Sequence, residues 1–139
     1  MAKQVLVMRK DLKMRGKAIA QGSHGSLGVF LKMMNDGNSL KESTPEIKNG
    51  KYTLSLDVEV GSPIDEWLRG IHRKIAVSVN SEDELMDVYQ KALDKGIPAH
   101  LVIDSGLTRF NGVPTKTCVA LGPCDDDQFQ GLTDHLSLY

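Results

Sequence analysis

The stretch IAVSVNSEDELMDVYQKALDKGIPAHLVI, residues 75–103, holds one strand–helix–strand unit and decides the fold. Ile75 to Val79 is a short apolar run rich in β-branched residues, the pattern of a buried strand. Ser81-Glu82-Asp83-Glu84 is a capping box, in which the Ser81 hydroxyl and the Glu84 carboxylate each satisfy a free backbone N–H. Leu85, Val88, Tyr89 and Leu93 recur at helical spacing and are expected to point inward, and Gly96 ends the helix. Ala99 to Ile103 is the next strand, closing at Asp104-Ser105-Gly106.

Working outward, Val5 to Met8 is an apolar run before a charged turn and reads as a first buried strand. Lys17 to about Met34 is helical, with Ile19, Leu27, Phe30 and Met34 on one stripe expected to pack on the core. Residues 35–50 are polar and turn-rich, hence a loop. Tyr52, Leu54, Leu56, Val58 and Val60 alternate with polar residues, which predicts a half-exposed strand, one arm of a hairpin. Pro63 to Trp67 makes at most a short helix. Thr117 to Leu121 is a last strand before Gly122-Pro123. Asp125, Asp126 and Asp127 are expected to load the first turn of a short C-terminal helix. The order strand–helix–insert–strand–helix–strand–strand–helix predicts an α/β sandwich with one sheet between helices.

A chain of 139 residues is one domain. A hydrophobic fraction of 40% and a charged fraction of 25% are ordinary globular usage, which excludes a disordered or fibrous chain. The net charge of −1 hides an asymmetry. Residues 1–17 hold six basic side chains (Lys3, Arg9, Lys10, Lys13, Arg15, Lys17) against Asp11, a local charge of +5, and the remainder carries −6. A basic end on an acidic body suits an anionic partner met on one face. Apolar runs are too short to span a bilayer, and no signal core precedes Arg9 and Lys10. Cys118 and Cys124 are too few for a disulfide scaffold, so a reducing cytoplasm is expected.

Two constellations could carry chemistry. Lys17, Gln21 and His24 are spaced i, i+4, i+7 and share one face of the first helix, so a cation, an amide and an imidazole stand in a row. Gly22, Gly25 and Gly28 adjoin that row, each costing roughly 1 kcal/mol relative to Ala. That cost is accepted where a strand, a loop or a substrate must approach the helix backbone closely. The second constellation is Asp104-Ser105-Gly106-Leu107-Thr108, at the carboxyl end of a strand, where open α/β sheets build their sites. Asp104 can accept a proton or orient a partner; Thr108 and Thr117 can donate hydrogen bonds. The structural alternatives are a polar outer face and an ordinary Asp-Ser-Gly turn. No phosphate-loop motif occurs, Gly22-Ser23-His24-Gly25 lacks nucleophile-elbow spacing, and the four histidines lack metal-ligand spacing.

These motifs resemble type II peptidyl-tRNA hydrolases, the archaeal and eukaryotic kind. Asp11-Leu12-Lys13-Met14, Gly16-Lys17-Ala18-Ile19-Ala20-Gln21 and Ser23-His24 resemble the family's opening, and Asp104-Ser105-Gly106-Leu107-Thr108 resembles its D-A-G-R-T turn. Lys116-Thr117, Gly122-Pro123 and the end His135-Leu136-Ser137-Leu138-Tyr139 match as well. The likeness covers residues 3–34 and 67–139, and residues 35–66 read as an insertion within a single domain spanning 1–139.

The resemblance implies hydrolysis of the ester joining a peptide to tRNA, in a three-layer sandwich with a four-stranded mixed sheet, no metal, no cofactor and often a dimer. Lys17, His24, Asp104 and Thr108 are the catalytic candidates it implies. Arg9, Lys10, Lys13, Arg15, Gln21, Ser105, Gly106, Arg109 and Thr117 are the substrate-binding candidates. On this reading Asp104 or His24 positions the water, Lys17 with Thr108 or Thr117 steadies the oxyanion or the terminal nucleotide, and Arg9 to Lys17 grip the tRNA backbone. Ser105 and Leu107 stand where the family has alanine and arginine, and Arg109 could restore the missing cation. The alternatives are a non-catalytic tRNA- or RNA-binding module on this fold, and an interaction domain that uses the inserted strand's edge.

Overall fold

The computed structural model describes all 139 residues. Its strands are β1 (Ala2–Arg9), β2 (Lys74–Val79), β3 (Ala99–Asp104) and β4 (Thr115–Asp125); its helices are α1 (Lys17–Met34), α2 (Pro63–Arg69) and α3 (Glu82–Asp94). The sheet order is β2-β1-β4-β3, with β1 parallel to β2 and antiparallel to β4, and β3 antiparallel to β4. α3 covers one face, while α1 and α2 cover the other, so the expected mixed sheet between helices is the fold. Since β1 is central and buried on both faces, its sequence is a continuous apolar run rather than an alternation. Val5 and Val7 join Val77, Val119, Leu85 and Val88 in the core under α3, and Leu6 and Met8 pack on the α1 side.

The Ser81 half of the capping box forms at α3, where the Glu84 amide donates to Ser81 Oγ at 3.1 Å, while Glu84 Oε2 reaches one residue past the cap and accepts from the Asn80 amide at 2.7 Å. Of the residues expected inward, Leu93 is exposed instead and the fully buried Ala92 takes its place one position earlier. α2 starts at Ser62, whose hydroxyl accepts from the Asp65 amide, and it buries Trp67 in a stack with Phe30 at 5.5 Å.

Three expectations are corrected. First, the Ile19/Leu27 stripe does not face the sheet: Ile19 is 76% and Leu27 57% exposed. α1 turns its glycines inward. A Cβ on Gly22 would stand 3.2 Å from the Leu6 side chain, one on Gly25 3.1 Å from Ala120 Cβ, and one on Gly28 inside the His100 ring. Bulky side chains there would lift the helix off the sheet, so the smaller row wins the interface. The group that approaches the glycines is the sheet itself.

Second, residues 52–60 form no strand. Leu54, Leu56 and Val58 are half-buried and alternate with exposed Thr53, Ser55, Asp57 and Glu59, so the period of two is genuine. No strand pairs with it, because Leu56 packs against the Phe30–Trp67 cluster and lays the segment over helices, which offer no backbone edge. The outer edge of β2 is taken by the chain's last residues: the Ser78 amide donates to Ser137 O and the Tyr139 amide to Ala76 O. The interaction reading that needed an inserted strand's edge falls with it.

Third, β4 runs on through Gly122-Pro123 to Asp125, and the acidic cluster opens a 3-10 turn, Asp126–Phe129, rather than an α-helix. Asp126 serves as an anchor, pairing with Lys3 at 3.2 Å, Arg73 at 3.0 Å and the N-terminal ammonium at 3.6 Å. This turn drops Phe129 and Leu132 into the core under α3.

Candidate active site

α1 begins at Lys17, immediately after a link in which Lys13 and Arg15 adopt left-handed backbone (φ 50° and 55°). This bend delivers Lys17 to the carboxyl end of β3. Lys17 Nζ lies 3.1 Å from Asp104 Oδ1 and donates to Thr108 Oγ1 at 2.7 Å. One turn along, Gln21 is buried, and its Nε2 donates to the same Asp104 oxygen at 3.3 Å. Thr117 Oγ1 donates to Gln21 Oε1 at 2.7 Å, which fixes the orientation of the amide.

Thr117 reaches Gln21 because of a register shift. Val102 pairs with Cys118 and Ile103 with Lys116, so Thr117 is the extra residue of a β-bulge. A bulge re-aims its side chain, and here Thr117 and Cys118 both point at α1, where Cys118 Sγ donates to Gln21 O.

Asp104 Oδ2 accepts the Gly106 amide at 2.8 Å, closing the Asp-Ser-Gly turn. Gly106 has φ +82°, and a Cβ there would run into the Val113 backbone, so only glycine fits. Burial pushes the Asp104 pKa up, but the Gly106 amide, the Lys17 ammonium and the Gln21 amide together hold it below the ordinary carboxylate value. The carboxylate is charged at neutral pH.

Bonding capacity remains at the cluster. A carboxylate offers about four lone-pair sites and an ammonium three donors. Asp104 has three acceptor sites spent inside the protein and Lys17 two donors, while Thr108 Oγ1 accepts from Lys17 and keeps its own proton to donate. An acceptor and two donors are therefore available to a substrate, which is what water addition to a carbonyl needs.

The other expected residues divide. His24 is exposed one turn beyond Gln21 and shares no bond with the set; Ser105 is likewise exposed and outside it. Lys10, Lys13 and Arg15 are exposed and form no ion pair, so their charge is free. Arg9 is not free: its guanidinium is bidentate on Asp11 and donates to Lys116 O. Arg109 Nη2 donates to Leu12 O at 3.2 Å and Lys13 O at 2.8 Å, so the supposed substitute cation is turned to the backbone. Phe110 went unnoticed in the sequence; its ring lies 5.7 Å from both Lys17 Nζ and the Arg109 guanidinium carbon. A lone aromatic in a polar loop was its only signal.

An apolar groove of about 800 Å³ lies on the β1–β2 flank of α1, lined by Ile19, Leu27, Phe30, Trp67, Leu68 and Tyr139 among others. The polar cluster is on the β3–β4 flank, so the groove and the cluster are separate features.

The family model described as Peptidyl-tRNA hydrolase PTH2 matches residues 2–139. The chain is similar to a peptidyl-tRNA hydrolase of Methanocaldococcus jannaschii, 36% identical over 137 residues and 98% of each chain. It is also similar to a peptidyl-tRNA hydrolase of Methanopyrus kandleri, 35% identical over 139 residues, covering 99% of this chain and 98% of that one. Among solved structures, a protein of unknown function from Agrobacterium tumefaciens strain C58 superposes with a TM-score of 0.54 at 12% identity, over 99% of this chain and 97% of that one. That likeness is one of fold alone.

Proposed function

The chain belongs to the Peptidyl-tRNA hydrolase PTH2 family, and on that premise we propose that its cluster of Lys17, Asp104 and Thr108 carries out the family's reaction. The enzyme hydrolyses the ester between peptide and tRNA, and this activity takes the place of the binding-only alternative. Water adds to the ester carbonyl, the bond to the ribose oxygen breaks, and that oxygen leaves with a proton.

Asp104 orients the water through its unspent acceptor site. Held below the ordinary carboxylate value, it is a weak base that stays charged, so orientation is its main contribution. Lys17 and the Thr108 hydroxyl steady the charge that develops on the carbonyl oxygen. Gln21 and Thr117 hold Asp104 in place. His24 and Ser105 are assigned to substrate contact at the margin, and Lys10, Lys13 and Arg15 to the tRNA phosphates.

The observation that carries this reading is that one ammonium bonds both Asp104 and Thr108, from elements far apart in the chain. Peptidyl-tRNA hydrolysis by Lys17→Met, Asp104→Asn, Thr108→Val and His24→Ala tests it. The first three should lose roughly 10²-fold or more in kcat, and His24→Ala less. Full turnover by Lys17→Met or Asp104→Asn would overturn the assignment.

We further propose a homodimer through the outer flank of α1. Residues 18–31 carry no Asp, Glu, Lys or Arg, and that flank exposes Ile19 and Leu27 beside the apolar groove. An uncharged ridge next to an apolar groove is self-complementary, as a two-fold interface requires. Leu27→Asp should convert a dimer to a monomer in analytical ultracentrifugation; a wild-type monomer at all concentrations would overturn this. We place the enzyme in the cytoplasm, where Cys118 and Cys124 remain thiols; no helix is long and apolar enough to cross a membrane.

A further inference from the structure

We infer that Arg109 is a positioning residue: it clamps the loop carrying Thr108 onto the basic link before α1 and thereby sets the Lys17–Thr108 pair. This inference rests on the catalytic assignment above and adds to it a residue that meets no substrate.

The β3–β4 loop, residues 105–114, is held in few places. Within itself it closes by the Gly112 amide on Gly106 O at 3.0 Å and the Val113 amide on Phe110 O at 3.0 Å. Phe110 and Asn111 both take left-handed backbone (φ 64° and 54°), a conformation that side chains beyond glycine adopt only when the surroundings impose it. From outside, the loop is held by the Lys17 bonds to Asp104 and Thr108, by Phe110 packing against the Met8/Met14/Ala18/Cys118 cluster, and by Arg109.

Arg109 Nη2 bridges two consecutive carbonyls, Leu12 O and Lys13 O, while the guanidinium also lies over the Phe110 ring. Lys13 is the left-handed residue that ends the 3-10 turn Lys10–Leu12, and its amide donates to Lys10 O. So Arg109 joins two loops at the point where each one bends. Thr108 is its chain neighbour, and Lys17 lies four residues beyond Lys13. The clamp therefore ties together the two backbones from which Thr108 and Lys17 reach each other. With Nη2 spent on two carbonyls, the exposed guanidinium keeps only Nε and Nη1 for an outside anion.

The alternative role, a phosphate contact, predicts different kinetics. A misplaced Thr108 lowers kcat because the oxyanion donor is out of place, while tRNA still binds. A lost phosphate contact raises KM and lowers the steepness of the salt dependence by about 0.7–0.9 in log–log slope. The experiment compares wild type, Arg109→Gln and Arg109→Lys for kcat, KM and salt slope on peptidyl-tRNA. Alongside these, amide hydrogen exchange of residues 105–113 is followed in the free protein. We expect Arg109→Gln to lower kcat roughly 10- to 100-fold with KM and salt slope unchanged, and to speed exchange at Gly112 and Val113. Arg109→Lys, with a single-point donor, should recover only part of the rate. A rise in KM with kcat intact, or full rescue by lysine, overturns the clamp. Exchange is read without substrate, so a failed hydrolysis assignment leaves the clamp testable, and unchanged exchange in Arg109→Gln refutes the clamp by itself.

Discussion

Thr117 Oγ1 donates to Gln21 Oε1, and the opposite end of the same amide faces Asp104, so a strand residue that makes no bond to the Asp104 carboxylate decides which atom of Gln21 meets it. The bulge that turns Thr117 toward α1 is the structural origin of this relay.

Thr117→Val keeps shape and removes the donor. Gln21 Oε1 is then left unsatisfied in a buried place, which should cost about 1–3 kcal/mol of stability. The amide is free to flip and present its oxygen to Asp104, so the rate should fall while tRNA affinity holds. Urea unfolding and steady-state kinetics on one preparation measure both, and an unchanged unfolding midpoint would count against the relay.

Gly28→Ala should destabilise the fold even though alanine favours a helix by about 1 kcal/mol. The new methyl would enter the His100 ring, and overpacking of this kind costs about 1–3 kcal/mol. The double variant Gly28→Ala/His100→Ala should regain part of the loss. Additive destabilisation in the double variant would show that the ring is not the obstacle.

Removing Lys10, Lys13 and Arg15 together should flatten the salt dependence of tRNA binding by about 2–3 in log–log slope. Arg9→Ala should leave the slope nearly as it was, because that guanidinium is already paired with Asp11. Filter binding across a salt series separates the two; equal effects would mean that Arg9 releases its partner on binding.

Asp104 and Asp126 both hold their pKa below the ordinary carboxylate value: burial opposes ionisation at each, and neighbouring cations and donors outweigh it. A depressed folded value means that the unfolded chain takes up the proton first. The stabilisation is therefore fully present above the ordinary value of about 3.9 and is lost as pH falls through the lower, folded value. Melting temperature should drop steeply below about pH 4, and Asp104→Asn should lose less across that range than wild type. Parallel profiles for the two would refute the assignment.

What the chain's letters made legible was whatever depends on near neighbours. The Ser81 hydroxyl cap of α3, the apolar run of β1 and the turn at Gly106 are local chemistry, and each is where the sequence places it. The facing of α1 was not legible, because Ile19 and Leu27 outweigh three glycines on any scale of apolarity, whereas packing against a sheet rewards the absence of side chains. The alternation of Leu54, Leu56 and Val58 is real but serves a surface of helices, and a period of two carries no information about its partner. At the site, Lys17, Gln21 and Asp104 stood out individually. The Thr117–Gln21 bond and the Arg109–Lys13 bridge each join residues 96 apart, and spacing along the chain cannot show them.

The last residues, lying along β2, have a bearing on how this protein would be handled and degraded. Ser137 and Tyr139 occupy backbone groups of Ser78 and Ala76 that any other extended strand could use. Cleavage that removed residues 137–139 would leave the core intact and uncover the backbone edge of β2. Trimmed molecules would then present a bare seam to one another, and the first symptom of proteolysis would be turbidity rather than lost turnover.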